Sequence, residues 1–179
     1  MGRYEDLLKK YDYISINETG SIPKFMSGFY MNGEIFINSN RPTAIKLETL
    51  AEELAHHEIT YGNILDDKDV QSRKYELKAR RLACEILIPL KELISAYLQN
   101  VHNLYELADY FEVSESFVLQ TLNHYQQKFG HSTRCGKYVI QFEPLRVFEY
   151  KDIWILHIKG GGAINKWTMH LRIQMNIKA

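Results

Sequence analysis

The sequence predicts an α+β fold, mostly helical, with a small β-sheet and a helix-turn-helix-like segment at residues 103–128. Long stretches between residues 43 and 128 repeat their apolar residues with helical spacing. An Asn32-Gly33 pair, the strongest short hairpin signal, separates two runs of strand-forming residues. The length of 179 residues and a composition of 45% hydrophobic and 25% charged residues suit an ordinary globular domain.

The individual elements follow from periodicity and from boundary residues. In chain order we predict an amphipathic helix at 3–11, hairpin strands at 29–31 and 34–38, helices at 43–60, 69–88 and 90–99, two helices within 103–128, and a strand pair within 137–150. Pro42 precedes the helix at 43–60 and Gly62 follows it, which is typical of helix ends. Pro89 ends the next helix because proline cannot continue the backbone hydrogen-bond ladder. A turn at residues 112–114 divides the last helical segment.

The chain changes character near residue 150. Residues 151–179 hold both tryptophans, a run of three glycines, and four lysines and one arginine against one aspartate. We therefore separate a main domain, 1–150, from a basic C-terminal tail, 151–179, whose role the sequence does not indicate.

Charge and cysteine content restrict the class of protein. Twenty-two basic residues balance twenty-two acidic ones, so the chain has no general electrostatic attraction to nucleic acid or anionic lipid. Two cysteines, Cys84 and Cys135, are too few for a disulfide framework and fit a reducing compartment. No apolar run is typical of a signal peptide or a membrane span. We expect a cytoplasmic protein without membrane contact, and the sequence leaves its oligomeric state open.

The segment LAEELAHH, residues 50–57, carries the main chemical signal. Glu52 and His56 are one helical turn apart, so their side chains are neighbours, and Glu53 stands beside the first of them. This resembles the zincin motif H-E-x-x-H, in which two histidines bind zinc and the glutamate acts as general base. Glu52 stands where the first histidine would be. A second register would use Glu53 and His57 as ligands, but it puts Leu54, which cannot accept a proton, at the position of the base.

A third ligand is expected from the helix at 69–88, because a catalytic zinc takes three protein ligands and keeps one open position. Glu76 lies at the border of that helix's apolar stripe, whereas Glu85 points away from it. A carboxylate at such a border is costly unless it is paired or metal-bound. The simpler alternative is an ion pair between Glu76 and Arg80 at i+4.

Four stretches of the chain together resemble the ImmA/IrrE family, in the subgroup common in phages and mobile elements of Gram-positive bacteria. They are LAEELAHHEITYGNILD (50–66), RKYELKARRLACEILIPL (73–90), NLYELADYFEVSESFV (103–118) and YVIQFEPLRV (138–147). Their order and spacing agree over about residues 3–150. The domain 1–150 is therefore identified as an ImmA/IrrE-like metallopeptidase domain that includes the segment 103–128.

The resemblance implies a cytoplasmic zinc metallo-endopeptidase with a zincin-like core. It implies Glu53 as the base, His56 and Glu76 as zinc ligands, and Glu52 at the position of the first histidine ligand, where this sequence departs from the family pattern. It also implies a protein substrate, namely a helix-turn-helix repressor whose cleavage derepresses a prophage or mobile element. His57 and Tyr61 are possible accessory residues: His57 lines the cleft or bonds a neighbour, and Tyr61 stabilises an oxyanion or packs at the rim.

Two other functions compete with a peptidase. Residues 105–122 resemble a helix-turn-helix, which suggests a DNA-binding regulator. Its second helix has no Arg or Lys before Lys128, and Glu115 at its start would repel phosphate, so we expect no direct nucleic-acid binding. The other alternative is a catalytically dead module that keeps the fold for protein binding, with Glu52 marking a lost site.

Overall fold

The computed structural model of the chain describes residues 2–61, 70–155 and 168–174, with side chains described at 2–59 and 73–150. The helices of this part are α1 (Arg3–Lys10), α2 (Thr43–Tyr61), α3 (Val70–Leu87), α4 (Leu90–Leu98), α5 (Leu104–Phe111) and α6 (Glu115–Phe129). The strands are β1 (Ile16–Thr19), β2 (Gly28–Met31), β3 (Glu34–Asn38), β4 (Ser132–Cys135), β5 (Tyr138–Phe142), β6 (Leu145–Ile155) and β7 (Thr168–Gln174). The predicted α+β class is confirmed, and the predicted helix boundaries agree to within about two residues.

The first sheet has the strand order β1-β3-β2, with β1 parallel and β2 antiparallel to β3. The hairpin turns at Asn32 (φ 53°) and Gly33 (φ 88°), the two positive φ values that a tight two-residue hairpin requires. The strand β1 was not predicted, because its sequence INET offers one large apolar residue and no alternation. As β2 has a neighbour on one side only, it is an edge strand of this sheet.

The core lies between this sheet and α2. The predicted apolar stripe of α2 is completely buried, and so are the two inward residues of β3. These residues are Leu47, Leu50, Ala51, Leu54 and Ala55 of α2, with Ile35 and Ile37 of β3. Because the stripe faces inward, the opposite face of α2 is free to carry Glu52, Glu53 and His56.

The helices α5 and α6 form the predicted helix-turn-helix-like pair. Asn103 and Glu106 make a reciprocal capping box at the start of α5. Glu112 adopts a left-handed conformation (φ 55°) in the turn, and Ser114 caps α6. The pair packs inward through Leu107, Phe111 and Val118, which are buried in the main core.

The second sheet is an antiparallel meander in the order β4-β5-β6-β7. The predicted strand pair corresponds to β5 and β6, whereas β4 and β7 were not predicted. Part of the 151–179 tail therefore lies in strands, at 151–155 and 168–174, and the rest of it is outside the described residues. None of the helices in the described ranges is long and apolar enough to cross a membrane.

Candidate metal centre

Three side chains with metal-binding atoms meet where α2 lies beside α3. Glu52, His56 and Glu76 each offer one ligand atom, and all these atoms lie within 4.8 Å of one another. Nε2 of His56 lies 3.6 Å from Oε1 of Glu76. The structure thus brings together the three residues that the sequence singled out as metal ligands.

Small residues allow α2 and α3 to lie close together beside the three side chains. Ala55 on α2 and Ala79 on α3 are both fully buried and belong to one apolar cluster with Ile59. Because alanine has only a methyl side chain, the two helix backbones can pack closely at this crossing. His56 follows Ala55 directly and Glu76 precedes Ala79 by nearly one turn, so the crossing sets their separation.

Arg80 takes a different partner from the one that helical spacing suggests. Its Nε donates a hydrogen bond of 3.1 Å to Oε1 of Glu52 across the two helices. Glu76 instead contacts His56. The i+4 ion pair between Glu76 and Arg80, the simpler interpretation of the sequence, is therefore replaced by two interhelical contacts.

Glu53 lies beside the three residues in a more buried position. Burial, together with the negative charges of Glu52 and Glu76, raises the pKa of Glu53 to about 7. The backbone N–H of Tyr30 on β2 donates a hydrogen bond to its carboxylate, which opposes the rise. In the metal-free protein Glu53 therefore changes protonation near neutral pH.

These residues line one open cleft of about 390 Å³. Its walls are Gly28, Phe29 and Tyr30 of the edge strand β2, Glu52, Glu53 and His56 of α2, and Glu76 of α3. Sequence reasoning missed the contribution of β2. A hairpin strand directly before the motif helix was visible in the sequence, but nothing in it indicated which edge faces α2.

Of the two accessory candidates, His57 and Tyr61, the structure describes the side chain of His57 only. The Nδ1 of His57 lies 3.0 Å from the hydroxyl of Tyr30, with the rings edge to face. This contact anchors the hairpin to α2, which matches the neighbour-bonding interpretation of His57. The side chain of Tyr61 lies outside the described residues.

A second cleft, of about 510 Å³, adjoins the first through the shared residues Gly28, Glu52 and Glu53. Phe117 and Gln120 of α6 contribute to its wall. The turn before α6 is fixed to α2, since the backbone N–H of Ser114 donates to the Glu48 carboxylate at 2.6 Å. Phe117 and Gln120 of α6 thus line a cleft that shares Glu52 and Glu53 with the candidate centre.

The donor set fits a divalent metal. Zinc bonds to nitrogen and oxygen are about 2.0–2.2 Å long, which puts tetrahedral ligand atoms roughly 3.3–3.6 Å apart. Ligand atoms within 4.8 Å of one another need only small side-chain rotations to reach that separation. A carboxylate has two oxygens, so Glu52 can bind Arg80 with one and a metal with the other.

The helical core, the small sheet and the acid–histidine cluster define a metallopeptidase-like fold. The chain belongs to the Peptidase M78 family, described as the IrrE N-terminal-like domain, whose model matches residues 11–123. This confirms the family that the sequence motifs resembled. A comparison with curated proteins gives no match.

A solved structure described as a Mycobacterium tuberculosis transcriptional regulator is similar to this chain, with a TM-score of 0.53 and 16% sequence identity. The match covers 68% of this chain and 39% of the regulator. This chain therefore spans well under half of that protein, and at this identity the likeness shows a common fold alone.

Proposed function

We propose that this chain is a zinc-dependent endopeptidase that cleaves a helix-turn-helix repressor of a prophage or mobile element. The observation that carries the proposal is the convergence of Glu52, His56 and Glu76 on one cleft with Glu53 beside them. Membership of a peptidase family adds to it. The proposed identity of the substrate is inferred from the resemblance of the sequence motifs to those of the family.

Glu52, His56 and Glu76 would hold the metal. When bound, zinc supplies Lewis acidity that polarises a substrate carbonyl and makes water a better nucleophile. Two carboxylates and one imidazole leave less positive charge at the metal than three neutral ligands would. Arg80 offsets part of that extra negative charge at Glu52.

Glu53 performs the proton transfers. Its carboxylate accepts the proton of the attacking water and then donates it to the leaving amine. In the metal-free protein its pKa is raised to about 7, and a bound cation would lower the pKa and favour the ionised form that accepts a proton. The backbone N–H of Tyr30 donates a hydrogen bond to this carboxylate, and both residues line the cleft.

The edge strand β2 offers a binding surface for an extended peptide. It borders the cleft along Gly28, Phe29 and Tyr30, and its outer edge has no strand neighbour among the described residues. Extended peptides bind such edges through main-chain hydrogen bonds. A substrate lying there would pass next to Glu53.

The decisive experiment co-expresses the chain with a panel of phage helix-turn-helix repressors and identifies fragments by mass spectrometry. Glu53→Gln keeps the size and polarity of the side chain and removes the base. We expect fragments with the parent chain and a fall in cleavage of roughly a hundredfold or more with the variant, the usual scale for a lost general base. Equal cleavage by both proteins would exclude Glu53 as the base.

A catalytically dead binding module is the second candidate. The hydrogen bond from Arg80 to Glu52 favours it, because the guanidinium already neutralises one carboxylate of the cluster. If the parent binds no zinc and cuts no repressor, but captures one of them intact, this second function replaces the first.

A further inference from the structure

A groove between α3 and α6 lies apart from the two clefts and shares no lining residue with them. It has a volume of about 360 Å³. Its walls are Lys78, Arg81, Leu82 and Glu85 of α3, with His124, Gln127 and Lys128 of α6. On the helical wheel Lys78 lies about 160° from Glu76 and from Arg80, and Arg81 lies about 140° from Glu76 and about 100° from Arg80. Different sides of α3 therefore line the candidate metal centre and this groove.

The groove carries an excess of positive charge. Three cations, Lys78, Arg81 and Lys128, face a single carboxylate, Glu85. Burial raises the pKa of Glu85, but hydrogen bonds from Lys128 and His124 outweigh it, so the net shift is downward and the carboxylate stays ionised. Since Lys128 already pairs with Glu85, the charges of Lys78 and Arg81 remain uncompensated.

Arg81 has no carboxylate partner among the described residues, and its Nη2 donates a hydrogen bond of 3.4 Å to Oε1 of Gln127. A guanidinium presents a planar fork of donors that fits two oxygens of one anion. The amide of Gln127 and the ammonium of Lys78 extend this set of donors on either side of it.

A buried polar side chain stands in the same groove. His124 is only 8% exposed, and its Nε2 lies 2.8 Å from Oε1 of Glu85. Its Nδ1 is buried and has no hydrogen-bond partner within the described part of the chain. Nε2 therefore holds Glu85 in place at the groove, whereas the enclosed Nδ1 is not a contact for a ligand there.

We infer that this groove binds the phosphate group of a small phosphorylated molecule. Two uncompensated cations match the charge of a phosphate monoester, and donors from α3 and α6 surround the position it would take. The volume suits a small molecule. Nucleic acid is a poorer fit, because Asp109, Glu112 and Glu115 stand on the same helix pair and the chain has no net charge.

The test uses the full chain labelled with ¹⁵N, titrated with inorganic phosphate, with adenosine monophosphate and with a duplex DNA, against sodium chloride at equal ionic strength. We expect saturable shifts of the backbone amides of α3 and α6 with phosphate and with the monophosphate. Arg81→Gln should weaken binding about tenfold, the effect of losing one charge-assisted contact. Arg73→Gln, a cation of the same helix outside the groove, is the matched control and should bind as the parent does.

Three results would overturn the inference. One is the absence of saturable shifts with either phosphate probe. Another is unchanged binding by Arg81→Gln, which would mean that the anion binds elsewhere. The third is tighter binding of duplex DNA than of the monophosphate, with a steep salt dependence, which would make the groove a nucleic-acid contact. None of these results depends on peptidase activity.

Discussion

Oε1 of Glu76 lies 3.6 Å from Nε2 of His56, although the two residues belong to different helices. The crossing at Ala55 and Ala79 sets this distance, because both alanines are fully buried between α2 and α3. Together with the carboxylate of Glu52, these two side chains supply the three ligand atoms that a metal ion would bind. The packing of two apolar helix faces therefore controls the geometry of the polar cluster.

Removing one ligand should strongly weaken metal binding. We expect Glu76→Ala and His56→Ala to lower zinc affinity by more than about 100-fold, since even losing residues that only support ligands costs 10–100-fold. Metal content of the purified variants by mass spectrometry measures this. Glu115→Ala, an exposed acid outside the cluster, is the control. If the Glu76→Ala variant still contained stoichiometric zinc, Glu76 would be excluded as a ligand.

Restoring the histidine of the zincin motif should tighten binding. Glu52→His replaces a charged ligand by a neutral one, so we expect higher zinc affinity and activity at least equal to that of the parent. The change also releases Arg80, whose hydrogen bond to Glu52 is lost. Arg80→Gln in the parent isolates that second effect, and competition with a chelator gives both affinities. Weaker zinc binding by Glu52→His would argue against the proposed register.

The raised pKa of Glu53 should make the metal-free protein less stable as pH rises. Its pKa is about 7 in the folded state and near 4.3 when unfolded, so the folded state binds more protons between these values. Protonated Glu53 thus makes its full contribution to the free energy of unfolding below about pH 4, and this contribution is lost as the pH rises to about 7. We expect urea denaturation to show this decline in the parent and to show less of it in Glu53→Gln. Identical pH profiles would contradict the raised pKa.

A larger side chain at the helix crossing should separate the polar cluster. Ala79→Leu adds three carbons to a fully buried position, and such overpacking typically costs about 1–3 kcal/mol. We expect a lower midpoint in urea and weaker zinc binding, because α3 must shift relative to α2. Ala96→Leu, at a buried position of α4 away from the cluster, should lower stability without changing zinc affinity. Equal zinc affinity in both variants would show that the cluster tolerates the shift.

The helix pair α5 and α6 should not bind DNA. The exposed residues in the first turns of α6 are Glu115, Ser116, Leu119 and Gln120, none of which is a cation that could neutralise a phosphate. We expect no retention of duplex DNA in a gel-shift assay at about 50 mM salt. Low salt favours any protein that binds DNA through its phosphates, so this condition is the most permissive one. Salt-dependent retention that survives in Arg81→Gln would restore the DNA-binding interpretation.

The sequence by itself determined most helices and the residues of the candidate site. The 3.6-residue period of Leu47, Leu50 and Leu54 predicts both the helix α2 and its inward face, because that spacing depends only on local geometry. The same periodicity leaves Glu52, Glu53 and His56 on the other face. Local signals also predicted the Asn32-Gly33 hairpin, since its backbone conformation needs these residue types.

Only the tertiary structure decided the partners of these residues. The sequence was compatible with Glu76 in a metal cluster and with Glu76 in an ion pair with Arg80. The packing of α2 against α3 brings Glu76 into contact with His56, and Arg80 into contact with Glu52. The strands β1 and β4 were missed because each has only four residues, INET and STRC, with few apolar side chains. The strand β7, TMHLRIQ, alternates polar and apolar residues, but it lies in the segment interpreted as a tail. The position of Tyr30 beside Glu53 and His57 likewise depends on how a sheet edge packs against a helix, and this is a long-range contact that no local pattern encodes.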